Sequence, residues 1–493
     1  MSIITQHAEL FLILACVFGF FMAWGIGAND VANAMGTSVG SGAITITQAV
    51  IIAGIFEFLG AWLAGGEVTQ TISGGLIRPE VFSDTPQLLV YGMLAALLGA
   101  GVFLLVTSTL GMPVSTGQSI VGGILGFALV SVGAEPIKWA EIGKIVASWI
   151  ASPILAGTLA FLLFESIRRL ILDHDDPAKG ARRYIPIYVF LAGFVICLVT
   201  LVKGLSHIGL DLSTSTSVIG AIGLGLVAAV ISRLLLNRVE LLNTHERSDR
   251  YRNVERVFGF AQVFTAATMA FAHGSNDVAN AVGPLAAIIN VLNNPGQIGG
   301  ESELAGWVLI LGGLGIVFGL ATYGHRVIRT IGAQITALTP TRGFSAELAA
   351  ATTVVLATWF GIPVSTTQTL VGGVLGVGLA PRYSCAGSAR TWARIPGLAD
   401  DPARRSAVHR RVLLHPARDL RLIEPANRRR FSRWRAGWPE NGSRGRTIAA
   451  RGVRAAENAC RGQFRRTACA HCPAGRTGPG RPRESRWRLR WPE

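Results

Sequence analysis

The sequence predicts an all-α polytopic membrane protein, with about 11–12 transmembrane or half-membrane helices in two inverted repeats and a disordered Arg-rich tail. Three observations carry this. Half of the 493 residues are hydrophobic and only 15% are charged. Apolar stretches of about 20 residues, enough to cross a bilayer core of roughly 30 Å, recur through the first three quarters of the chain. Two motifs occur twice in the same order: "GANDVANA" (27–34) returns as "GSNDVANA" (274–281), and "GMPVSTGQSIVGGILGFAL" (111–129) returns as "GIPVSTTQTLVGGVLGVGL" (361–379). The charge is also divided, because residues 1–380 hold 18 Lys plus Arg against 21 acids, whereas 381–493 hold 27 Arg, no Lys and eight acids.

Taken in order, the spans lie near 9–27, 44–65, 88–107, 117–134, 142–164, 186–203, 213–236, 257–273, 278–292, 304–324, 344–360 and 367–380. No Lys or Arg precedes the first and no small-residue cleavage site follows it, so it reads as a retained helix rather than a signal peptide. Several spans are too short to cross alone and begin at Gly, Pro or Asn, the pattern of half-helices that meet inside a membrane.

The motif copies are offset by 247 and 250 residues, which makes the chain a duplicated unit. We divide it into a first inverted repeat (1–164), connecting helices with basic cytoplasmic loops (165–256), a truncated second repeat (257–380) and the tail (381–493). Loop 65–87 carries Glu67, Arg78, Glu80 and Asp84, while its counterpart 325–343 carries Arg326, Arg329 and Arg342 without an acid. Because Lys and Arg stay cytoplasmic, these loops belong on opposite faces and the repeats are inverted. Inverted repeats with broken helices are the architecture of secondary transporters, whose sites lie near the midplane.

The motifs supply the chemistry of such a site. In "ANDVAN" an acid and an amide three residues apart share one helical face. Asp30 with Asn33, and Asp277 with Asn280, thus offer oxygens to one coupling cation or proton, leaving Asn29 and Asn276 free to hydrogen-bond a substrate. An ionisable residue at membrane depth is costly and by default functional; the bland alternative is a helix cap. Pro113 and Pro363 suit the mouth of a helix, and Ser115, Thr116, Ser365 and Thr366 its cap and first turn, where unpaired N–H groups bind phosphate-like anions. Gln118, Ser119, Thr367, Gln368 and Thr369 add neutral donors, which suit a carrier that must release its anion. His273 breaks the repeat, since Ile26 or its neighbours stand at that place in the first copy. It reads as a proton relay or as a structural histidine. Nothing catalytic competes, and without a GxxxxGK loop an ATP-driven pump is disfavoured.

Across residues 10–380 these paired motifs resemble those of the inorganic phosphate transporter family. The resemblance implies a multi-pass symporter of the cell inner membrane that carries phosphate with Na⁺ or H⁺, in bacteria often as a metal–phosphate complex. It implies that the Asn, Asp, Ser, Thr and Gln residues named above line the phosphate and cation site. No cofactor, resident metal or nucleic acid is expected. The partners are phosphate, alone or with a divalent metal, and membrane lipid, with homo-oligomerisation left open. A sulfate permease or an inactive truncated carrier is the alternative; phosphate is favoured because it still bears a proton to donate to Asp30 or Asp277.

The tail departs from the family, whose members continue with a further apolar helix. It holds ten of the 21 prolines, four of the six cysteines and five of the 11 tryptophans. Nucleic-acid or headgroup binding and a "CAHC" metal site (469–472) are weaker readings than out-of-frame translation of GC-rich coding sequence, which explains many Arg without Lys. On this reading the second half-helix, at 367–380, lacks the packing partner that its twin receives from 142–164.

Overall fold

The structure is a computed structural model and describes residues 6–174, 176–204, 212–238, 247–294, 305–328 and 338–380. The chain divides into two units, Met1–Ala389 and Arg390–Glu493. Every residue from 381 onward, and with it the expectation of a disordered tail, lies outside the described residues.

The described residues of the first unit are mostly helical, and among them eight segments are long and apolar enough to cross a membrane. The helices are α1 (Ala8–Gly40), α2 (Ile46–Ala64), the short α3 (Gly66–Gly74), α4 (Pro86–Thr109), α5 (Thr116–Ser131), α6 (Trp139–Ile167), α7 (Pro177–Val199) and α8 (Thr214–Asn237). They continue with α9 (Arg247–Asp277), α10 (Ala279–Asn293), α11 (Gly306–Gly319), α12 (Pro340–Trp359) and α13 (Thr366–Leu379). Local chemistry explains many of the starts. Thr45 accepts from Gln48 N at 3.3 Å in a capping box, Ser213 caps α8 and Asp176 caps α7 through side-chain acceptors, and Pro86 and Pro340 stand in first turns where no N–H is needed.

The spans expected to end near 27 and 273 run on through the acidic motifs. Residues 27–34 lie well inside α1, and in the second copy only Val278 separates α9 from α10, with its N–H still on Gly274 O at 3.3 Å. The physical reason is that a helix satisfies its own backbone groups, which an unwound stretch in an apolar setting does not, so the Gly and Asn residues stay helical. The half-helices are instead α5 and α13, of 16 and 14 residues, as their length suggested. Each follows a sharp turn at Gly111 (φ 68°) or Gly361 (φ 63°), a left-handed backbone that glycine adopts without penalty. The loop expected at 65–87 holds α3, whose Val68, Thr69 and Ile72 are buried against α10.

Packing exchanges partners between the motif copies. Helix α1 packs on α11, and α9 packs on α2. Within each copy the half-helix packs on the preceding helix, α5 on α4 and α13 on α12. Helix α6 packs against α13 and α12. This reverses the sequence expectation: residues 142–164 serve the second half-helix, and the first goes without an equivalent neighbour among the described residues. Chain order misled because it pairs α6 with the half-helix before it, whereas the fold hands α6 to the other copy.

Candidate functional site

Three tiers of hydrogen bonds tie the motifs together, and the first two recur in both copies. In the first tier each leading Asn braces the turn before a half-helix. Asn29 Nδ2 donates to Ser108 Oγ (3.1 Å) and Met112 O (3.0 Å), and its Oδ1 accepts from Val114 N (2.9 Å). Asn276 Nδ2 donates to Thr358 Oγ1 (3.1 Å) and Ile362 O (3.3 Å), and its Oδ1 accepts from Val364 N (3.2 Å). Asn29 and Asn276, expected to hydrogen-bond a substrate, are here engaged by the turns: a buried amide needs partners, and the backbone before each half-helix supplies them.

In the second tier the first hydroxyl of each half-helix donates to the acid. Thr116 Oγ1 reaches Asp30 Oδ2 at 2.7 Å, and Thr366 Oγ1 reaches Asp277 Oδ2 at 2.8 Å. Ser115 and Ser365 cap these helices, accepting from Gln118 N at 3.4 Å and Gln368 N at 3.3 Å. The third tier crosses between copies. Asn33 Nδ2 donates to Thr367 Oγ1 (2.7 Å) as well as to Asp30 Oδ1 (3.1 Å), and Asn280 Nδ2 donates to Thr116 Oγ1 (3.3 Å). Asn29, Asp30, Asn33, Thr116, Asn276, Asp277, Asn280, Ser365 and Thr366 are all at most 2% exposed, and Ser115 is half-buried.

Gln118 and Gln368 stand apart from this network through their side chains. Gln118 lines the groove between α4 and α5, and Gln368 the groove between α6 and α13. Among the described residues Gln368 Oε1 and Asp277 Oδ1 are buried acceptors without a hydrogen-bond donor.

Two features break the repeat. His273 is fully buried, with Nε2 3.1 Å from Asp277 Oδ2 and 3.9 Å from Asp30 Oδ2, and Nδ1 3.2 Å from Glu57 Oε1. These are close contacts without hydrogen-bond alignment. Ligand atoms of Asp30, His273 and Asp277 lie within 4.8 Å of one another, a set that could hold a metal ion. Glu347, also fully buried, accepts from Thr37 Oγ1, from Ser38 Oγ (2.6 Å), from Thr265 Oγ1 (2.7 Å) and from Gln262 Nε2 (3.3 Å), linking α1, α9 and α12. Sequence reasoning passed over Glu57 and Glu347, although an acid inside each apolar span 44–65 and 344–360 was the signal that could have found them.

The arrangement gathers Asp30, Asp277 and Glu57 around a single imidazole, and among the described residues no Lys or Arg is paired with them. Buried charge is tolerated only when paired, so this pocket carries a surplus of acid that a cation or protons would balance. The paired helix mouths beside it offer neutral hydroxyl donors.

Residues 26–415 match the phosphate transporter family, which extends the similarity past Ala380, where the paired motifs end. The chain is 48% identical over 380 residues to a protein named phosphate permease in Haemophilus influenzae, covering 77% of this chain and 90% of that one. It is 44% identical to the chloroplastic inorganic phosphate transporter 2-1 of Arabidopsis thaliana, covering 74% of this chain and 65% of that one. A solved structure described as the sodium-dependent phosphate transporter superposes with a TM-score of 0.71 at 40% identity, covering 78% of this chain and 93% of that chain.

Proposed function

The chain belongs to the phosphate transporter family, whose members are transporters rather than enzymes, and from that premise we propose that it is a secondary carrier moving inorganic phosphate together with Na⁺ through the paired-motif site. The observation that carries the reading is the repeated wiring of Thr116 to Asp30 and of Thr366 to Asp277 beside a pocket with surplus acid. A cation bound at Asp30 and Asp277 offsets that acid and adds positive charge next to the two helix mouths, so phosphate and cation bind better together than apart. Sodium is favoured over H⁺ because the carboxylates of Asp30 and Asp277 and the hydroxyls of Thr116 and Thr366 beside them are oxygen ligands, which suit a hard cation, and because the structural neighbour is described as sodium-dependent.

In this reading the caps at Ser115 and Ser365, with the first-turn N–H groups and Gln118 and Gln368, receive the phosphate. Asn33 and Asn280 hold the copies in register, and Asn29 and Asn276 fix the turns. Alternating access follows if the copies are inverted and rock about the shared site in the cell inner membrane; the exchanged packing of α1 on α11 and α9 on α2 supports this. The test is phosphate uptake by proteoliposomes with Na⁺ and H⁺ gradients imposed separately. Concentrative uptake under the Na⁺ gradient alone is expected, and uptake under the H⁺ gradient alone would overturn sodium coupling.

A second reading rests on His273. With Asp30 and Asp277 it forms a nitrogen-and-carboxylate set that suits a divalent transition metal, which would then be cargo travelling with the phosphate. Uptake of radioactive Mn²⁺ in a fixed ratio to phosphate, lost in His273→Ala, would support it; phosphate uptake at full rate with metal chelated would exclude it.

A further inference from the structure

We infer that Thr71 on the short helix α3, assisted by Ser148 on α6, is a positioning residue that holds the mouth of α13 in place for phosphate. The inference rests on the reading of that mouth as half of the phosphate site. Its starting observation is the turn 361–363, whose successive carbonyls each accept from a different helix. Thr71 Oγ1 of α3 donates to Gly361 O at 2.7 Å, Asn276 Nδ2 of α9 to Ile362 O at 3.3 Å, and Ser148 Oγ of α6 to Pro363 O at 2.9 Å.

The turn needs these donors. Gly361 and Pro363 are buried, Gly361 is left-handed and Pro363 has no N–H, so the carbonyls of this non-helical stretch must find partners outside it. Donors from separate helices fix the turn in several directions at once, whereas α13, with 14 residues, cannot by itself fix where its mouth points. Anion binding by a cap hydroxyl and first-turn N–H groups depends on that placement, because such groups must stay within about 0.5 Å of their productive positions.

Helix α3 is itself firmly seated. A Cβ at Gly283 of α10 would overlap Ile72, and one at Gly65, just before α3, would overlap Val278, the residue that follows Asp277. This short helix therefore reaches from the break after the second acid to the turn before the second mouth. The turn is shaped to receive it, since a Cβ at Gly361 would stand 3.3 Å from both Thr71 Oγ1 and Glu67 O. Thr71 is the stronger of the two clamps, because the single hydrogen of Ser148 is shared with Ile145 O at 2.7 Å.

The test titrates phosphate calorimetrically into the purified full chain in NaCl. Thr71→Val should weaken binding about two- to tenfold, the range of one net hydrogen bond, and Ser148→Ala less. Thr71→Ser, which keeps the hydroxyl, should restore it. Combined with Ser365→Ala, Thr71→Val should weaken binding by less than the product of the two single effects, because both act on one mouth; combined with Ser115→Ala, on the other mouth, the effects should multiply to within about twofold. A merely structural role would lower the melting temperature without this coupling. Ser148→Ala is carried through the same cycle, so a Thr71→Val chain that fails to fold does not decide the outcome. If Ser365→Ala leaves the affinity unchanged, the phosphate reading of this mouth falls and the inference with it. If Ser365→Ala weakens binding but the folded Thr71→Val and Ser148→Ala chains bind as the unaltered chain does, if Thr71→Ser binds no better than Thr71→Val, or if the effects with Ser365→Ala simply multiply, the inference alone is overturned.

Discussion

Helices α5 and α13 begin with nearly the same sequence and end in different surroundings. Both follow a left-handed glycine, both are capped by a serine, and both send their first threonine to a buried aspartate. Yet the mouth of α13 is enclosed by α6 while that of α5 is open. The lesson is that local sequence sets the cap and the first-turn wiring, whereas a neighbour from the other copy sets burial. Equivalent substitutions should therefore have unequal consequences in the two copies.

The largest inequality is expected at the outward glycines. Gly376→Leu forces a side chain into the α6 backbone and should cost about 3 kcal/mol by overpacking, while Gly126→Leu should stay within about 0.5 kcal/mol as an exposed change. Equal thermal shifts in detergent would break the comparison. Removing the hydroxyl donors should instead act alike in both copies. Thr116→Val and Thr366→Val each delete a hydrogen bond to a charged group, worth about 1.5–3 kcal/mol, or roughly ten- to a hundredfold in Na⁺-linked phosphate affinity by titration calorimetry. An effect in one copy alone would show that the site is not shared.

A smaller inequality is expected at the braces. Asn276→Ala leaves buried groups unpaired at about 1–3 kcal/mol, and Asn29→Ala should cost less because the turn it braces is the less enclosed of the two, with Met112 52% exposed. The order of their melting temperatures checks this. Smallest is the cap pair: Ser365→Ala should lose about 1 kcal/mol and Ser115→Ala less, with a raised phosphate KM in both. An unchanged KM in both would reduce these serines to helix caps.

Much of this was legible in the sequence, for identifiable reasons. Spacing placed the acid and amide of each motif on one face, and Asn33 does meet Asp30. Short apolar length marked α5 and α13 as half-helices, and the serines and prolines marked their starts. What sequence could not convey was tertiary exchange. Nothing local says that α6 serves α13, that Asn29 braces a turn 83 residues away, or that Glu57 and His273 meet. The spans run past their expected ends at 27 and 273 because a helix satisfies its own backbone in an apolar setting, where an unwound Gly or Asn could not.

The central claim is that Asp30 and Asp277 bind the cation that makes phosphate binding favourable. Titrating phosphate into the purified full chain in NaCl, and again with Na⁺ replaced by choline, measures this directly. Tight binding in Na⁺ that weakens in choline is predicted, with the difference abolished in both Asp30→Asn and Asp277→Asn while each variant stays folded. Undiminished sodium dependence in both variants would contradict it.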